Sequence, residues 1–293
     1  MNSKIHTLIC DLDNTLYDWV AYFVPSFYAM VDRAVGILEC DREELLDDLR
    51  EVHRAHQNTE EPFALLQTNV VRRVLFGMSL KEQQTKLDPA FYAFNSMRKR
   101  TLTLYPDVLV AMDELRRHGI QILAYTDSRA LAAIDRVSRL GLSERLTRVY
   151  CRSRSVQVFS DVIWSADWGE GITKEKIIEF DDDKRKPDPA ALLQICATER
   201  VDVRRCAYMG DSLTRDIGMA RRAGVFAIWA EYGSRPAPDL YKKLVRVSHW
   251  TEQDVELERR LSNSVGEYPP NFVAKRSFSE VVGVLDLAEG IRE

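Results

Sequence analysis

The chain has few cysteines, five among 293 residues, and no two of them form a C-x-x-C pair. An odd and scattered set argues against a disulfide framework and against a thiolate zinc site. Cys10 and Cys206 lie in apolar runs that read as buried strands, so we expect them in the hydrophobic core. Cysteine usage of this kind is typical of a reducing compartment.

The sequence also lacks a basic excess and a long apolar run. Its 41 Lys and Arg residues against 45 Asp and Glu residues give a formal net charge of −4. That balance argues against a nucleic-acid partner and gives no reason to expect binding to an anionic membrane surface. No apolar stretch approaches the roughly 20 residues of a membrane span, and the N-terminus enters a strand without a signal-peptide pattern. We therefore expect a cytoplasmic protein.

Two common ligand-binding patterns are missing as well. No G-x-x-x-x-G-K-[ST] loop occurs, and the pair Gly169 and Gly171 is too short for a dinucleotide fingerprint. Of the five histidines, only His53 and His56 are neighbours, at a spacing that places both on one helix face. Because no third ligand is nearby, we interpret that face as solvated and not as a metal site.

What the sequence does contain is a pair of aspartates directly behind an apolar run. Residues 5–10 form a short and mostly apolar run, which predicts a buried strand. Asp11 and Asp13 follow this run, and Thr15 lies two residues further on. Carboxylates that leave a buried parallel strand are costly unless a cation or a reaction needs them. On its own, the pattern is also compatible with a solvated acidic turn.

Three further polar elements follow later in the chain, and two of them also stand directly behind apolar strands. Thr126 and Asp127 follow one strand, and Asp211 follows another, with Asp216 shortly after. Between them lies Lys186, which precedes a proline. Because ligands bind at the carboxyl ends of the strands in a parallel sheet, we expect these side chains to lie together. A random acidic turn would not predict this convergence.

Taken in order, the four elements resemble the four motifs of the haloacid dehalogenase (HAD) superfamily, most closely its Mg²⁺-dependent phosphatases with a helical cap of the C1 type. The matching positions are Asp11, Asp13 and Thr15 for motif one, Thr126 for motif two, Lys186 for motif three, and Asp211 with Asp216 for motif four. The resemblance covers nearly the whole chain, apart from two stretches near 151–181 and 236–268.

The resemblance implies a catalytic role for four residues. Asp11 would be the nucleophile that forms an aspartyl-phosphate, and Asp13 would protonate the leaving group and later deprotonate the attacking water. Lys186 would hold the nucleophile and the phosphoryl oxygens. Thr126 would donate hydrogen bonds to the same oxygens.

Mg²⁺ is the cofactor that the resemblance implies. The ligands would be Asp11, Asp211 and the backbone carbonyl of Asp13, with Asp216 as an outer or alternate ligand. The physical reason is that several carboxylates and a phosphate would repel one another strongly in a cleft of low dielectric constant. A hard divalent cation with oxygen ligands relieves that repulsion.

One position departs from the family pattern. Motif two often reads Thr or Ser followed by Asn, whereas Asp127 follows Thr126 here. We include Asp127 with Thr126 and Lys186 in the set that binds the substrate phosphate. A carboxylate that pointed at the phosphate would weaken binding, so we expect this side chain to point away and to cap the following helix.

The alternation of strands and helices predicts an α/β fold with a doubly wound, parallel-sheet core of Rossmann-like topology and an inserted α-helical cap domain. Residues 1–16 and 101–293 are assigned to the core and 17–100 to the cap, because the alternation stops after Leu16 and resumes near Leu104. Asp41 predicts one helix start in the cap and Asp88-Pro89 another. Six aromatic residues are expected mainly to pack the cap interior, and the alternative is that one or two of them face the active-site cleft: Tyr17, Trp19, Tyr22, Phe23, Phe27 and Tyr28.

The sequence thus predicts a Mg²⁺-dependent phosphatase that hydrolyses small phosphate monoesters of the nucleotide or sugar phosphate class. A dehalogenase of the same superfamily would lack the second aspartate, so Asp13 argues against that activity. Two alternatives stay open: a phosphomutase with the same core, and a catalytically silent domain that serves as a binding or regulatory module. The expected partner is a small phosphorylated metabolite, and the oligomeric state is left open.

Overall fold

The computed structural model describes residues 5–153, 172–181, 184–251, 256 and 269–287. The chain divides into two compact units, which we name the sheet unit (1–18, 104–235 and 260–293) and the helical unit (19–103 and 236–259). The larger part of the stretch near 151–181, and most of 252–268, lie outside the described residues.

The described strands form one sheet and are β1 (Thr7–Cys10), β2 (Gln121–Arg129), β3 (Arg148–Arg152), β4 (Ile177–Phe180), β5 (Cys206–Gly210), β6 (Phe226–Ala230) and β7 (Phe272–Ala274). The described α-helices are α1 (Trp19–Leu38), α2 (Arg42–His56), α3 (Asn69–Val74), α4 (Leu80–Thr101), α5 (Val108–Arg117), α6 (Ala130–Arg139), α7 (Pro189–Glu199), α8 (Gly218–Arg222), α9 (Pro238–Val247) and α10 (Glu280–Leu287). A π-helical turn, Leu213–Ile217, leads into α8. Among the residues that the structure describes, no helix is both long enough and apolar enough to cross a membrane.

The strands are parallel and lie in the order β4-β3-β2-β1-β5-β6-β7. The chain therefore builds outward from β1 to β4 and then returns to place β5 on the other side of β1. Cys10 pairs with Ala124 of β2 and with Met209 of β5, so the residues that follow these three positions emerge side by side. Open α/β sheets bind ligands at such a reversal of strand order. The doubly wound, parallel α/β fold expected from the sequence is confirmed.

The central position of β1 explains its composition. A parallel strand covered on both faces reads as a continuous apolar run instead of an alternating one. Every residue from Thr7 to Cys10 is buried. Cys206, at the start of β5, is also fully buried, so the expectation that both cysteines belong to the core is confirmed.

Strand β2 continues to Arg129, beyond the end at Tyr125 that the sequence predicts. Its pairing with β3 is regular up to Tyr125, is then interrupted, and resumes where Arg129 lies opposite Arg152. Thr126 therefore lies in an irregular part of a strand and not after its end, so the predicted boundary is wrong. The renewed pairing with β3 keeps the backbone extended up to Arg129. This pairing partner is distant in the chain, so the local sequence does not indicate it.

The interior of the helical unit contains an aromatic cluster on α1. Trp19 stacks on Phe23 with ring centres 5.0 Å apart, and Phe23 contacts Phe27 at 5.7 Å and Phe94 of α4 at 6.4 Å. The two tyrosines of α1 are buried as well. The aromatic residues of α1 thus pack inside the helical unit, as the sequence predicts.

Two helix starts can be compared with their predictions. Asp41 is the N-cap of α2 and accepts the Glu44 N–H at 2.9 Å, as expected. The start predicted at Asp88-Pro89 is wrong, because this pair lies inside α4. That helix begins after Ser79, which forms a capping box with Glu82 and so satisfies backbone N–H groups of the first turn.

The stretch from residue 236 to 259 belongs to the helical unit, which differs from the assignment of 101–293 to the core. Its helix α9 packs on α1 and α2, and the carbonyl of Lys243 accepts the Tyr28 hydroxyl at 3.0 Å. His53 Nδ1 lies 2.7 Å from the carbonyl oxygen of Val247 and must donate to it, since a carbonyl can only accept. His53 is 1 % exposed, so the prediction of a solvated histidine face is wrong for this residue.

Candidate active site

Asp11 directly follows the end of β1 and is buried beside Lys186. Its backbone N–H donates to the carbonyl of Met209 at 2.8 Å, which extends the pairing with β5 by one residue. The Asp11 residue is 6 % exposed, and Lys186 Nζ contacts its Oδ1. Lys186 Nζ also lies 2.9 Å from Oδ1 of Asp216. The fold therefore brings together residues from motifs one, three and four.

Lys186 is a buried cation between carboxylates and aromatic faces. Its Nζ lies 5.4 Å from the ring centre of Tyr125 and 5.6 Å from that of Tyr208. Burial by itself would lower the pKa of Lys186, but the charges of Asp11 and Asp216 outweigh burial and raise it above its ordinary value. The ammonium group therefore stays charged, which is the state that can hold a phosphoryl group.

Asp216 is fixed by three hydrogen-bond donors. Its Oδ1 accepts the Tyr208 hydroxyl at 2.9 Å as well as Lys186, and its Oδ2 accepts the Ser212 N–H at 3.0 Å. The end of β5 passes so close that a Cβ on Gly210 would lie 2.6 Å from the Cβ of Asp216. Because side chains do not approach to this distance, the glycine is required at this point of motif four.

Three carboxylates, those of Asp11, Asp211 and Asp216, form the one candidate metal-binding group among the described residues, with oxygens within 4.8 Å of one another. Burial raises the pKa of Asp11 to about 7, although Lys186 opposes the shift. Burial also raises the pKa of Asp211 well above its ordinary value, and the two neighbouring carboxylates add to the rise. A donor set made only of carboxylate oxygens in mutual repulsion fits a hard divalent cation such as Mg²⁺.

Asp13 points into a different set of donors and its carboxylate is not part of this group. Its Oδ1 accepts the Tyr17 hydroxyl at 2.6 Å. Its Oδ2 accepts the Ser128 hydroxyl at 2.8 Å and, at the longer distance of 3.4 Å, that of Thr126. The side chain is 21 % exposed, so its oxygens are held while part of the carboxyl group stays accessible. The expected contribution of the Asp13 backbone carbonyl to the metal site stays a prediction.

Asp127 does not cap the following helix, which is the position that the sequence suggests for its side chain. Its Oδ1 accepts the backbone N–H of Lys186 at 3.2 Å, so the side chain connects motif two to motif three. The N-cap of α6 is Arg129, and no side-chain hydrogen bond caps that helix. The expectation that Asp127 caps the helix is therefore wrong, because the strand continues past it and Lys186 offers it a donor. Its inclusion in the phosphate-binding set stays a prediction.

The loop after β1 is held from the side of β6. The Tyr232 hydroxyl donates to the carbonyl of Thr15 at 2.5 Å, and its ring meets that of Tyr105 edge-on at 5.2 Å. The Thr15 hydroxyl is buried and has no hydrogen-bond partner within the described ranges. Thr15 therefore contributes to the order of this loop through its backbone carbonyl.

Sequence reasoning missed three residues near Asp13. Tyr17 is counted among the cap aromatics, yet it belongs to the sheet unit. Ser128 could have been found, because side chains two apart in an extended strand share one side and Thr126 is a predicted site residue. Arg136 on α6 gave no signal, since a charged helical residue normally reads as exposed.

Comparison with known proteins agrees with this geometry. A sequence model described as haloacid dehalogenase-like hydrolase matches residues 5–224. The chain therefore belongs to the haloacid dehalogenase-like hydrolases, and it is a member of an enzyme family. Membership in the haloacid dehalogenase superfamily, which the four motifs indicated, is confirmed.

Two curated relatives are phosphatases. A glyceraldehyde 3-phosphate phosphatase of Methanopyrus kandleri is 25% identical over 229 residues, which are 76% of this chain and 83% of that protein. A phosphoserine phosphatase of Thermus thermophilus is 26% identical over 164 residues, which are 54% of this chain and 53% of that protein. For the second relative, the match thus spans about half of either protein.

Solved structures share the fold at lower identity. A 2-haloacid dehalogenase from Pseudomonas syringae has a TM-score of 0.56 and 21% identity, covering 97% of this chain and 99% of that one. A HAD-type hydrolase of Bacillus subtilis, solved with bound magnesium, has a TM-score of 0.51 and 12% identity, covering 97% and 100%. At these identities the likeness establishes the fold and not the reaction.

Proposed function

We propose that this hydrolase is a Mg²⁺-dependent phosphatase that cleaves small-molecule phosphate monoesters through an aspartyl-phosphate on Asp11. The observation that carries the proposal is the separation of the two motif-one carboxylates. Asp11 contacts the buried ammonium of Lys186, whereas Asp13 is held by the hydroxyl groups of Tyr17 and Ser128. Two carboxyl groups in different environments can take two different roles in one reaction.

The proposed reaction has two displacements at phosphorus. In the first, an oxygen of Asp11 bonds to phosphorus, the bond from phosphorus to the ester oxygen breaks, and Asp13 gives its proton to that oxygen, so that the leaving group departs as the neutral alcohol. In the second, Asp13 takes a proton from water as the water oxygen bonds to phosphorus, and the bond to Asp11 breaks to release inorganic phosphate. Lys186 stays beside Asp11 in both steps and stabilises the charge on the phosphoryl oxygens.

The carboxylates of Asp11 and Asp211 would hold Mg²⁺, with Asp216 beside them. Both oxygens of Asp216 already accept hydrogen bonds, which supports the expectation that it acts as an outer or alternate ligand. When bound, the cation supplies positive charge that offsets the repulsion between these carboxylates and a phosphate dianion.

The dehalogenase activity of some structural relatives is a weaker reading of this site. Displacement of a halide needs no proton on the leaving group, whereas an alkoxide leaving from phosphorus does need one. We assign the supply of that proton to Asp13. The hydrogen bonds that Asp13 accepts from Tyr17 and Ser128, and the phosphatase names of both curated relatives, support this assignment. The expected substrates are small phosphorylated metabolites, and the narrower expectation is a nucleotide or a sugar phosphate.

A cytoplasmic location of the protein also stays a prediction.

The test is hydrolysis of p-nitrophenyl phosphate in the presence of Mg²⁺. We expect Asp11→Asn to lower kcat at least about a thousandfold, because it removes the nucleophile, while Asp88→Asn on the exposed side of α4 leaves it unchanged. Circular dichroism would show that both variants are folded. Halide release from 2-chloropropionate without phosphate release would overturn the proposal. Absence of both activities, together with no Mg²⁺-dependent binding of beryllofluoride, would instead indicate a silent binding module.

A further inference from the structure

A buried arginine, Arg136, lies beside Asp13 in the sheet unit. It belongs to the buried face of α6, together with Ala133 and Val137, and is only 2 % exposed. Removing a guanidinium group from water costs several kcal/mol unless its charge is compensated by partners. An arginine on this otherwise apolar face therefore calls for a chemical explanation.

The contacts of Arg136 lead to the proton donor of the proposed reaction. Arg136 Nη2 lies 2.5 Å from the hydroxyl oxygen of Ser128 and 3.6 Å from Oδ2 of Asp13. Its Cζ lies 5.9 Å from the ring centre of Tyr17, whose hydroxyl donates to the other oxygen of Asp13. We name these four residues, Asp13, Tyr17, Ser128 and Arg136, the Asp13 network.

The direction of each hydrogen bond follows from the chemistry of the groups. A guanidinium can only donate, so the Ser128 oxygen accepts from Arg136. The single hydroxyl proton of Ser128 is then directed to Oδ2 of Asp13, which lies at 2.8 Å. The charge of Arg136 thus fixes the orientation of a hydroxyl group that in turn fixes the carboxyl group.

From this chain of contacts we infer that Arg136 is a positioning residue for Asp13, with Ser128 as the connecting hydroxyl. The inference rests on the proposed phosphatase function and deepens it, because it names the residues that hold the proton donor. Tyr17 and Ser128 hold one carboxyl oxygen each, so the carboxyl group cannot rotate without breaking one of two short hydrogen bonds. Without Arg136, the Ser128 hydroxyl would be free to turn away.

A positioning role has a signature that a purely structural role lacks. Proton donation matters most for basic leaving groups and little for a stable phenolate such as p-nitrophenolate. A variant that misplaces the proton donor should therefore be most defective with the most basic leaving group. A variant that only destabilises the fold should be defective to the same factor with every ester.

The experiment measures kcat/KM with Mg²⁺ for aryl phosphates from p-nitrophenyl phosphate to the more basic p-methoxyphenyl phosphate. For Arg136→Met we expect a loss below about threefold with the first ester that grows to about thirtyfold or more with the last. Asp13→Asn should show the same ordering with larger losses. Arg139→Met, which removes an exposed arginine of the same helix, should give no loss with either ester.

Several outcomes decide the matter. An equal loss across the series, or no loss, would overturn the role of Arg136 while leaving the proposed function in place. If Arg136→Met does not fold, Ser128→Ala removes the connecting hydroxyl with a small change in volume and must show the same leaving-group dependence. A wild-type protein that hydrolyses none of the esters and shows no Mg²⁺-dependent binding of beryllofluoride would overturn the proposed function and, with it, this inference.

Discussion

The burial of His53 makes the stability of the helical unit depend on pH. Burial lowers the pKa of His53 to about 4, because a charged imidazole in this interior loses its hydration, and the ordinary value is 6.5. Because the folded-state pKa lies below the unfolded-state value, the unfolded chain binds the proton first as the pH falls. The stabilisation is therefore complete above pH 6.5 and is lost as the pH falls towards 4.

The size of the effect follows from the shift. The fall of the His53 pKa from 6.5 to about 4 corresponds to about 3.5 kcal/mol in total, at about 1.4 kcal/mol for each pKa unit, and about 3 kcal/mol of it is lost by pH 4. That is a large part of the stability of a typical domain. The helical unit should thus weaken steeply between pH 6.5 and 4 for a reason that involves none of the proposed catalytic residues.

The assay is urea unfolding of the wild type and of His53→Asn at several pH values across this range. The asparagine amide can keep donating to the Val247 carbonyl, but it does not titrate. We expect the free energy of unfolding of the variant, relative to wild type, to rise by about 3 kcal/mol as the pH falls from 7 to 4. His118→Asn, which replaces an exposed histidine of the sheet unit, is the control. Parallel curves for His53→Asn and wild type would refute the burial of His53 beneath α9.

Three further predictions concern the sheet unit. Mg²⁺ at about a hundred times its Kd should raise the free energy of unfolding of the wild type by about 2.7 kcal/mol, but not that of Asp11→Asn. Calorimetry would measure the difference, and a response to Mg²⁺ in both proteins would contradict the metal assignment. Gly210→Ala should lower kcat about a hundredfold, because the added Cβ displaces the carboxylate of Asp216. Gly36→Ala, whose Cβ meets no atom within 4 Å, should leave kcat unchanged in the same hydrolysis assay. Asp127→Asn keeps an oxygen that can accept the Lys186 N–H, so its kcat should stay within about twofold of the wild-type value. Asp127→Ala removes that acceptor and should lower kcat further. Equal kcat values for the two variants would show that this hydrogen bond is unimportant.

Some of the site could be predicted because the topology leaves little freedom. In a parallel sheet, the residues that follow adjacent strands meet at one edge. Asp11 and Asp211 follow β1 and β5, which are neighbours, and Thr126 lies beyond the point where β2 pairs with β1. The apolar character of the strands was enough to indicate that these side chains converge, although the exact end of β2 was not predicted.

Other features failed because a competing local signal was present. The pair Asp88-Pro89 is typical of a helix start, yet it lies in the middle of α4. The capping box of Ser79 and Glu82 stands earlier in the sequence and supplies the hydrogen bonds that begin the helix. A proline that could open a helix does not do so when a stronger cap precedes it.

By itself, the sequence determined the family, the parallel α/β core and the set of residues at the carboxyl edge. The reason is that the apolar pattern of a strand and the order of the motifs are both visible along the linear chain. Only the tertiary structure decided which segments cover one another. It assigned residues 236–259 to the helical unit, buried His53 under Val247, turned Asp127 to the backbone of Lys186, and placed Arg136 beside the Asp13 carboxylate. The physical reason is that periodicity tells which face of an element is apolar, but the partner of that face, and of each charge on it, is distant in the chain and is fixed only by packing.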